Sequence, residues 1–179
     1  MNRWLPAGIA MAGIAAIAVM AGCGGGGAGS APTRVQLRAV IQGPATDNVA
    51  TTIDLRFYRP GATGTPLAQL SVPVDRDGNG AFGLSLAPGT YDVRAKDRSH
   101  LAKRIRGWSY DPAGSPSLDF GTLLAGDVNN DNVVNQADFD YMNSVWFTND
   151  PVADINRDGI VNGLDFSILN GNWGLTGDD

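Results

Sequence analysis

Asp127-Val128-Asn129-Asn130-Asp131-Asn132-Val133-Val134-Asn135-Gln136-Ala137-Asp138 is a twelve-residue stretch with side-chain oxygens at its positions 1, 3, 5, 9 and 12. The layout recurs 27 residues later as Asp154, Asn156, Asp158, Asn162 and Asp165, with Gly159 at position 6. A loop of this kind winds around a hard cation. Ca²⁺ takes six to eight oxygen ligands, whereas Mg²⁺ prefers fewer protein ligands and more water. The expected ligand sets are Asp127, Asn129, Asp131, Val133, Asn135 and Asp138, and then Asp154, Asn156, Asp158, Ile160, Asn162 and Asp165. Val133 and Ile160 hold position 7, which ligates through its backbone carbonyl, and their side chains are expected to point into a core. Asn132 replaces the position-6 glycine in the first loop, and Asn tolerates left-handed backbone angles. Asp replaces the usual Glu at position 12, which predicts two weakly bound ions, with dissociation constants of roughly 10⁻⁴ to 10⁻³ M.

Each loop runs into a predicted helix. Phe139, Met142, Val145 and Trp146 share one face after the first, as do Phe166, Leu169 and Trp173 after the second. The Asp-Phe pairs at 138–139 and 165–166 and the spacing of Trp146 and Trp173 mark a duplication.

Two such loops, each followed by a helix and with no helix entering the first, resemble a type I dockerin over residues 124–174. The resemblance implies a module that plugs into a cohesin-like partner, most often in polysaccharide degradation. It also implies that the partner is read at loop positions 10 and 11 and along the following helices. Those positions are Gln136 and Ala137, Gly163 and Leu164, Asn143 and Ser144, and Asn170 and Gly171. The Ser/Thr and Lys/Arg pairs of well-known cellulosomal dockerins are absent from them.

The rest of the chain is of a different character. Residues 124–179 hold ten Asp and one basic residue, net −9, whereas residues 1–123 hold twelve Lys/Arg and eight Asp, net +4. Such asymmetry predicts two modules. All 18 acidic residues among 179 are Asp, and Gly (24) and Pro (10) are abundant, which favours turns and short strands over long helices. One His (His100) and one Cys (Cys23) exclude a disulfide, a Cys/His zinc site and a Cys-His dyad within this chain. No nucleophile-elbow motif accompanies His100. The commonest glycosidase acid, Glu, is missing. The reading is not an enzyme, with no small-molecule substrate and no nucleic-acid motif.

Residues 1–22 have the layout of an export signal: Arg3, an apolar run to Met20, then small residues. Met20-Ala21-Gly22-Cys23 resembles a bacterial lipobox, which implies lipidation of Cys23 and a membrane or cell-surface location. Plain secretion and an uncleaved anchor are the alternatives. A Gly-rich linker spans 23–32.

Period-two alternation begins at Val35, Leu37, Ala39, Ile41 and repeats at Ile53, Leu55, Phe57 and Leu70, Val72, Val74. Further strands are expected near 81–86, 90–96, 101–108 and 118–124, with turn residues between them. About seven short strands over 33–123 predict a small antiparallel Ig-like β-sandwich. Ala81 to Leu86 with Pro88 to Val93 resembles the hairpin of carboxypeptidase-regulatory-like or Cna-B-type domains. The Asp75-to-Gly80 stretch lacks a carboxylate at its twelfth position, Leu86, and reads as a hairpin turn. The basic run from Arg94 to Arg106 is expected on a solvated face. Trp108 and Tyr110 are expected in the core or at an edge.

The expected fold class is therefore mixed: a sandwich followed by a separate, small all-α calcium module over 124–179. The leading functional reading is calcium-dependent attachment to a protein partner. The alternatives are a calcium-stabilised cap packed on its own sandwich, and an accessory subunit of a glycoside hydrolase system.

Overall fold

The computed structural model describes residues 31–44 and 51–179. The expected export signal, Cys23 and most of the linker lie outside them. Among the described residues no helix is long and apolar enough to cross a membrane.

Seven strands form where the alternating runs fall: β1 (Thr33–Ile41), β2 (Thr51–Tyr58), β3 (Ala68–Val74), β4 (Asn79–Leu84), β5 (Gly89–Lys96), β6 (Lys103–Tyr110) and β7 (Ser117–Leu123). Alternation sends Val35, Leu37, Ile53, Leu55, Phe57, Leu70, Val72 and Val93 to one buried face. Each such side chain contributes about 1.5–3 kcal/mol by leaving water. Phe57 anchors the layer, with the rings of Phe82 and Trp108 each 6.0 Å away. Between β3 and β4, Asp75 Oδ1 accepts from Asp77 N (3.0 Å) and Asn79 N (2.8 Å), which closes a tight hairpin.

The strand order is β6-β5-β2-β3-β4-β1-β7 in one continuous sheet. This corrects the expected antiparallel sandwich. β1 and β7 run parallel, and β3 joins β4 through the single pair Val74 and Gly80. The sheet curls towards a barrel, and at its meeting edges Trp108 Nε1 donates to Ser117 O (2.9 Å). Alternation specifies a half-buried strand but not which edges pair, so one curled sheet and two facing sheets read alike.

The expected separate all-α module is corrected too. Beyond Leu123 only two nine-residue helices form, α1 (Gln136–Ser144) and α2 (Gly163–Gly171). Their core of Val128, Val134, Met142, Ile155, Val161 and Leu169 also takes in Leu101 from the β5–β6 connection. Polar contacts bind this region to the sheet. Asn172 Nδ2 donates to Gln42 Oε1 (2.6 Å) and Ala125 O (2.7 Å). Asn132 Oδ1 accepts from Ala102 N (2.8 Å). Ser99 Oγ donates to Val152 O (2.8 Å). Gly43, at φ +123°, lies so close that a Cβ there would stand 2.7 Å from Ile155 O. Nine-residue helices are marginal alone, so the packing against the sheet supplies what their length does not.

Candidate metal centre

The two loops repeat one backbone path. Positions 4 and 6 take left-handed φ in both: Asn130 (66°) and Asn132 (71°), then Arg157 (58°) and Gly159 (98°). At position 12, Asp138 accepts from Asn129 N (3.1 Å) with Oδ1 and from Asn135 N (2.8 Å) with Oδ2. Asp165 does the same with Asn156 N and Asn162 N, both at 2.9 Å. Both carboxylates are fully buried. Position 9 caps each helix: Asn135 Oδ1 accepts from Ala137 N and Asn162 Oδ1 from Leu164 N, both at 2.7 Å. Each loop therefore ends in a capping box, and the position-12 carboxylate is fixed by the helix it starts. Position 5 turns back likewise, Asp131 Oδ1 accepting from Val133 N (2.9 Å) and Asp158 Oδ1 from Ile160 N (3.0 Å).

The loops differ at position 1. Asp127, Asp131 and Asp138 each bring a carboxylate oxygen within 4.8 Å of the others. Asp127 Oδ2 pairs with Lys96 Nζ (2.7 Å), while Asp127 Oδ1 is buried without a hydrogen-bond partner. Burial pushes the Asp138 carboxyl up against the pull of its two amide donors, and the Asp127 and Asp131 charges push it further. An orphaned buried oxygen among crowded carboxylates is the arrangement that a hard cation satisfies, so these residues fit Ca²⁺. In the second loop Asp154 is turned inwards, its Oδ1 accepting from Asp158 N (3.2 Å) and Oδ2 from Gly159 N (2.9 Å). Asp154, Asp158 and Asp165 do not gather as closely as the first triad.

Two expectations about apolar positions are corrected. Val133 is half-buried and Ile160 is 40% exposed, while the next residues, Val134 and Val161, are fully buried. The carbonyl of position 7 must face the loop interior, so position 8 becomes the one that turns to the core. Trp173 lies past the Asn172 cap of α2 and is 42% exposed, whereas Trp146 is half-buried.

Gln136, Ala137, Asn143, Ser144, Gly163, Leu164, Asn170 and Gly171 are all exposed, at the two ends of the two helices. Leu164, 61% exposed, is the most prominent apolar group among them. Three side chains with no signal in the local pattern prove central: Lys96 at Asp127, Asn132 between loop and sheet, and Asn172 at the Gln42 seam. The basic run is not simply solvated either, because Arg104 is 8% exposed and paired with Asp92 (3.2 Å).

Fold and loops together define a duplicated cation-loop module seated on a curled β-sheet. Residues 125–172 match the family model for the dockerin type I domain, whose members bind calcium, which supports Ca²⁺ as the cation. No curated protein matches the chain. Among solved structures it is similar to a chain of an N-terminal interface mutant of the type II cohesin–X–dockerin complex from Acetivibrio cellulolyticus. There the TM-score is 0.59 at 20% identity, covering 80% of this chain and 97% of that one. A C-terminal interface mutant of the same complex gives a TM-score of 0.55 at 21% identity, with the same coverage. At that identity the likeness is one of fold, and it extends over the sheet as well as the loops.

Proposed function

We propose that this protein is a non-catalytic, exported attachment protein whose two loops each bind one Ca²⁺ and present the ends of α1 and α2 to a cohesin-type partner. The carrying observation is the pair of matching capping boxes. In each, the position-12 carboxylate is held by two backbone amides and so stands ready for the ion that the rest of its loop encircles. Asp127, Asn129, Asp131, Asn135 and Asp138 hold the first ion with the Val133 carbonyl. Asp154, Asn156, Asp158, Asn162 and Asp165 hold the second with the Ile160 carbonyl. Calcium neutralises the crowded carboxylates and fixes the loop ends from which both helices start. The exposed Leu164 and Phe147 give the surface apolar contact area, which protein interfaces require. The family match and the cohesin-bound structural neighbours support a cohesin-type partner. Lipidation at Cys23 and a setting in polysaccharide degradation belong to the same proposal, on the sequence pattern and the family.

A second reading has its own observation in its favour. The seam to the sheet contains buried ion pairs and hydrogen bonds, as suits a calcium-stabilised cap with no separate partner. Calorimetric titration of the full chain with Ca²⁺, then with purified type I and type II cohesin modules, separates the two. Cohesin binding that chelator abolishes is the expected result. Calcium binding with no cohesin binding favours the cap, and no calcium binding at millimolar concentration overturns both.

A further inference from the structure

A cleft of about 970 Å³ lies between the outer face of β2 and β5 and the calcium loops. Arg56, Arg94, Lys96, Arg98 and Arg157 line it, with Tyr141 on the loop side. Three carboxylates also reach it, and all three are engaged. Asp54 accepts from Ser71, Asp97 pairs with Arg157 and stands 3.0 Å from the His100 ring, and Asp154 takes two amides of its own loop. Lys96 is committed to Asp127. Among the described residues, no carboxylate pairs with Arg56, Arg94 or Arg98. In a chain of net charge −5, five basic side chains against three carboxylates leave this lining with an excess of positive charge.

The sheet register sharpens the point. Arg56 stands directly opposite Arg94 on antiparallel strands, and Arg94 directly opposite Arg104. Like charges placed opposite one another destabilise a sheet, and of the three guanidinium groups in this row only Arg104 has a carboxylate, Asp92 (3.2 Å), and an aromatic ring, Tyr58 (4.9 Å), to hold it. The chain relieves one end of the row with an acidic peptide of its own. Arg94 Nε donates to Asp178 O (3.1 Å), Arg104 N to Asp178 Oδ2 (2.8 Å) and an Arg104 guanidinium nitrogen to Asp179 O (2.6 Å). The other end, Arg56 with Arg94, opens into the cleft. Burial lowers the Arg94 pKa and the neighbouring Arg56 and Arg104 charges add to that effect, while Tyr58 and Asp179 oppose it.

We infer that this cleft is a second binding site, distinct from the helix ends, which takes an extended, aspartate-rich peptide of a partner protein along the row Arg94–Arg56, with Arg98 at its mouth. Guanidinium groups suit it because each can grip a carboxylate through two parallel N–H donors. The seated Asp178 and Asp179 show that a main chain fits against this row, with guanidinium nitrogens on its carbonyls and the Asp178 carboxylate on the Arg104 amide.

The test uses the full chain in excess Ca²⁺, so that the probe's weak chelation does not empty the loops. N-acetylated hexa-aspartate amide is titrated by calorimetry, with hexagalacturonate and inorganic phosphate as parallel arms. Peptide binding that weakens with salt is expected, with Arg56→Ala and Arg94→Ala each weakening it about tenfold. Arg38→Ala, on β1 and paired with Asp119, leaves it within twofold. Among the described residues the Arg56 side chain holds no partner whose loss would unfold the chain, so Arg56→Ala keeps the parental melting midpoint or raises it as the repulsion is relieved. Arg56→Lys, keeping charge without the fork, falls between. Equal affinity of Arg56→Ala and the parent overturns the site. Binding of hexagalacturonate or phosphate without the peptide overturns the assignment of its ligand.

Discussion

Lys96 Nζ lies 2.7 Å from Asp127 Oδ2, joining the last residue of β5 to the first position of the first twelve-residue loop. The pair is almost dry, with the lysine side chain 12% exposed and the aspartate fully buried. Lys96 also donates to His100 O (2.5 Å) and Asp97 O (3.2 Å), so its three donors are all used. One oxygen of Asp127 is thereby fixed by the sheet, and the other is left facing the loop.

Breaking a buried pair by removing one partner strands the other charge, at a cost of about 3–5 kcal/mol. Lys96→Met should therefore destabilise the chain strongly in chelator, where nothing else answers Asp127. Saturating Ca²⁺ should recover part of that loss, because the ion supplies the missing positive charge. Thermal melts of parent and variant, each with Ca²⁺ and with chelator, measure the difference. An equal loss under both conditions contradicts the coupling of Lys96 to the loop.

Calcium stoichiometry tests the loops individually. The full chain should bind two ions, and Asp127→Ala, Asp138→Ala, Asp154→Ala and Asp165→Ala should each leave one. Asp75→Ala should leave two, since Asp75 spends Oδ1 on the amides of its own hairpin. Isothermal titration gives the count. A stoichiometry of one in the parent would assign calcium to a single loop, and the crowded Asp127 triad makes the first the candidate.

Much of this was legible in the residues because it is local. The loop spacing, the position-12 carboxylates and the helix starts depend on residues within twelve positions of each other, and both loops are built where the pattern puts them. Strands came through the alternation of Val35 to Ile41 and its repeats for the same reason. What escaped was long-range. Nothing in the β5 sequence says that Lys96 will meet Asp127, 31 residues on, or that Asn172 will reach Gln42, 130 residues back. The two-module expectation followed from the charge division at residue 124. Yet opposite charges on the two halves are also what a polar seam between them requires.

That seam supplies a further prediction. Asn172 is 6% exposed, and its amide answers both Gln42 Oε1 and Ala125 O. Asn172→Leu leaves the buried Ala125 carbonyl without its donor, at a cost of about 1–3 kcal/mol, while Gln42 Oε1 keeps the Ala125 amide (3.0 Å). Urea unfolding should show a loss of that order, and hydrogen exchange should rise at the α2 end and the 124–126 connection before it rises in β2 and β3. Uniform exchange across the sheet would mean that the seam does not open separately.

Localisation rests on Cys23. If this residue carries the lipid, the parent should partition with membranes into detergent, and Cys23→Ala should appear in the soluble or secreted fraction. Fractionation and immunoblotting decide it, and identical partitioning rules out the lipid anchor.

Asp92 gives the pH dependence. Burial pushes its carboxyl up, but amides from Gly107 (2.8 Å) and Gly61 (2.9 Å) and the Arg104 guanidinium (3.2 Å) outweigh that, and its pKa lies below the usual carboxylate value. A group whose folded pKa is depressed stabilises the fold when ionised. Its contribution is fully present above the unfolded value, about 3.9, and is lost as pH falls below that towards the lower folded value. Asp92→Asn keeps the shape and removes the charge, leaving the 8%-exposed Arg104 with the carbonyls of Ala62 and Asp179 and the Tyr58 ring but no side-chain carboxylate. The stability difference between parent and variant should therefore be large at pH 6 and shrink steadily below pH 4, where Asp92 of the unfolded parent takes up a proton while the folded carboxylate stays ionised to lower pH. Urea midpoints measured from pH 6 to pH 2.5 in saturating Ca²⁺ trace that convergence. A difference that stays constant across the range would mean that Asp92 acts through shape rather than charge, and the Arg104 ion pair would then carry little of the stability at that corner of the sheet.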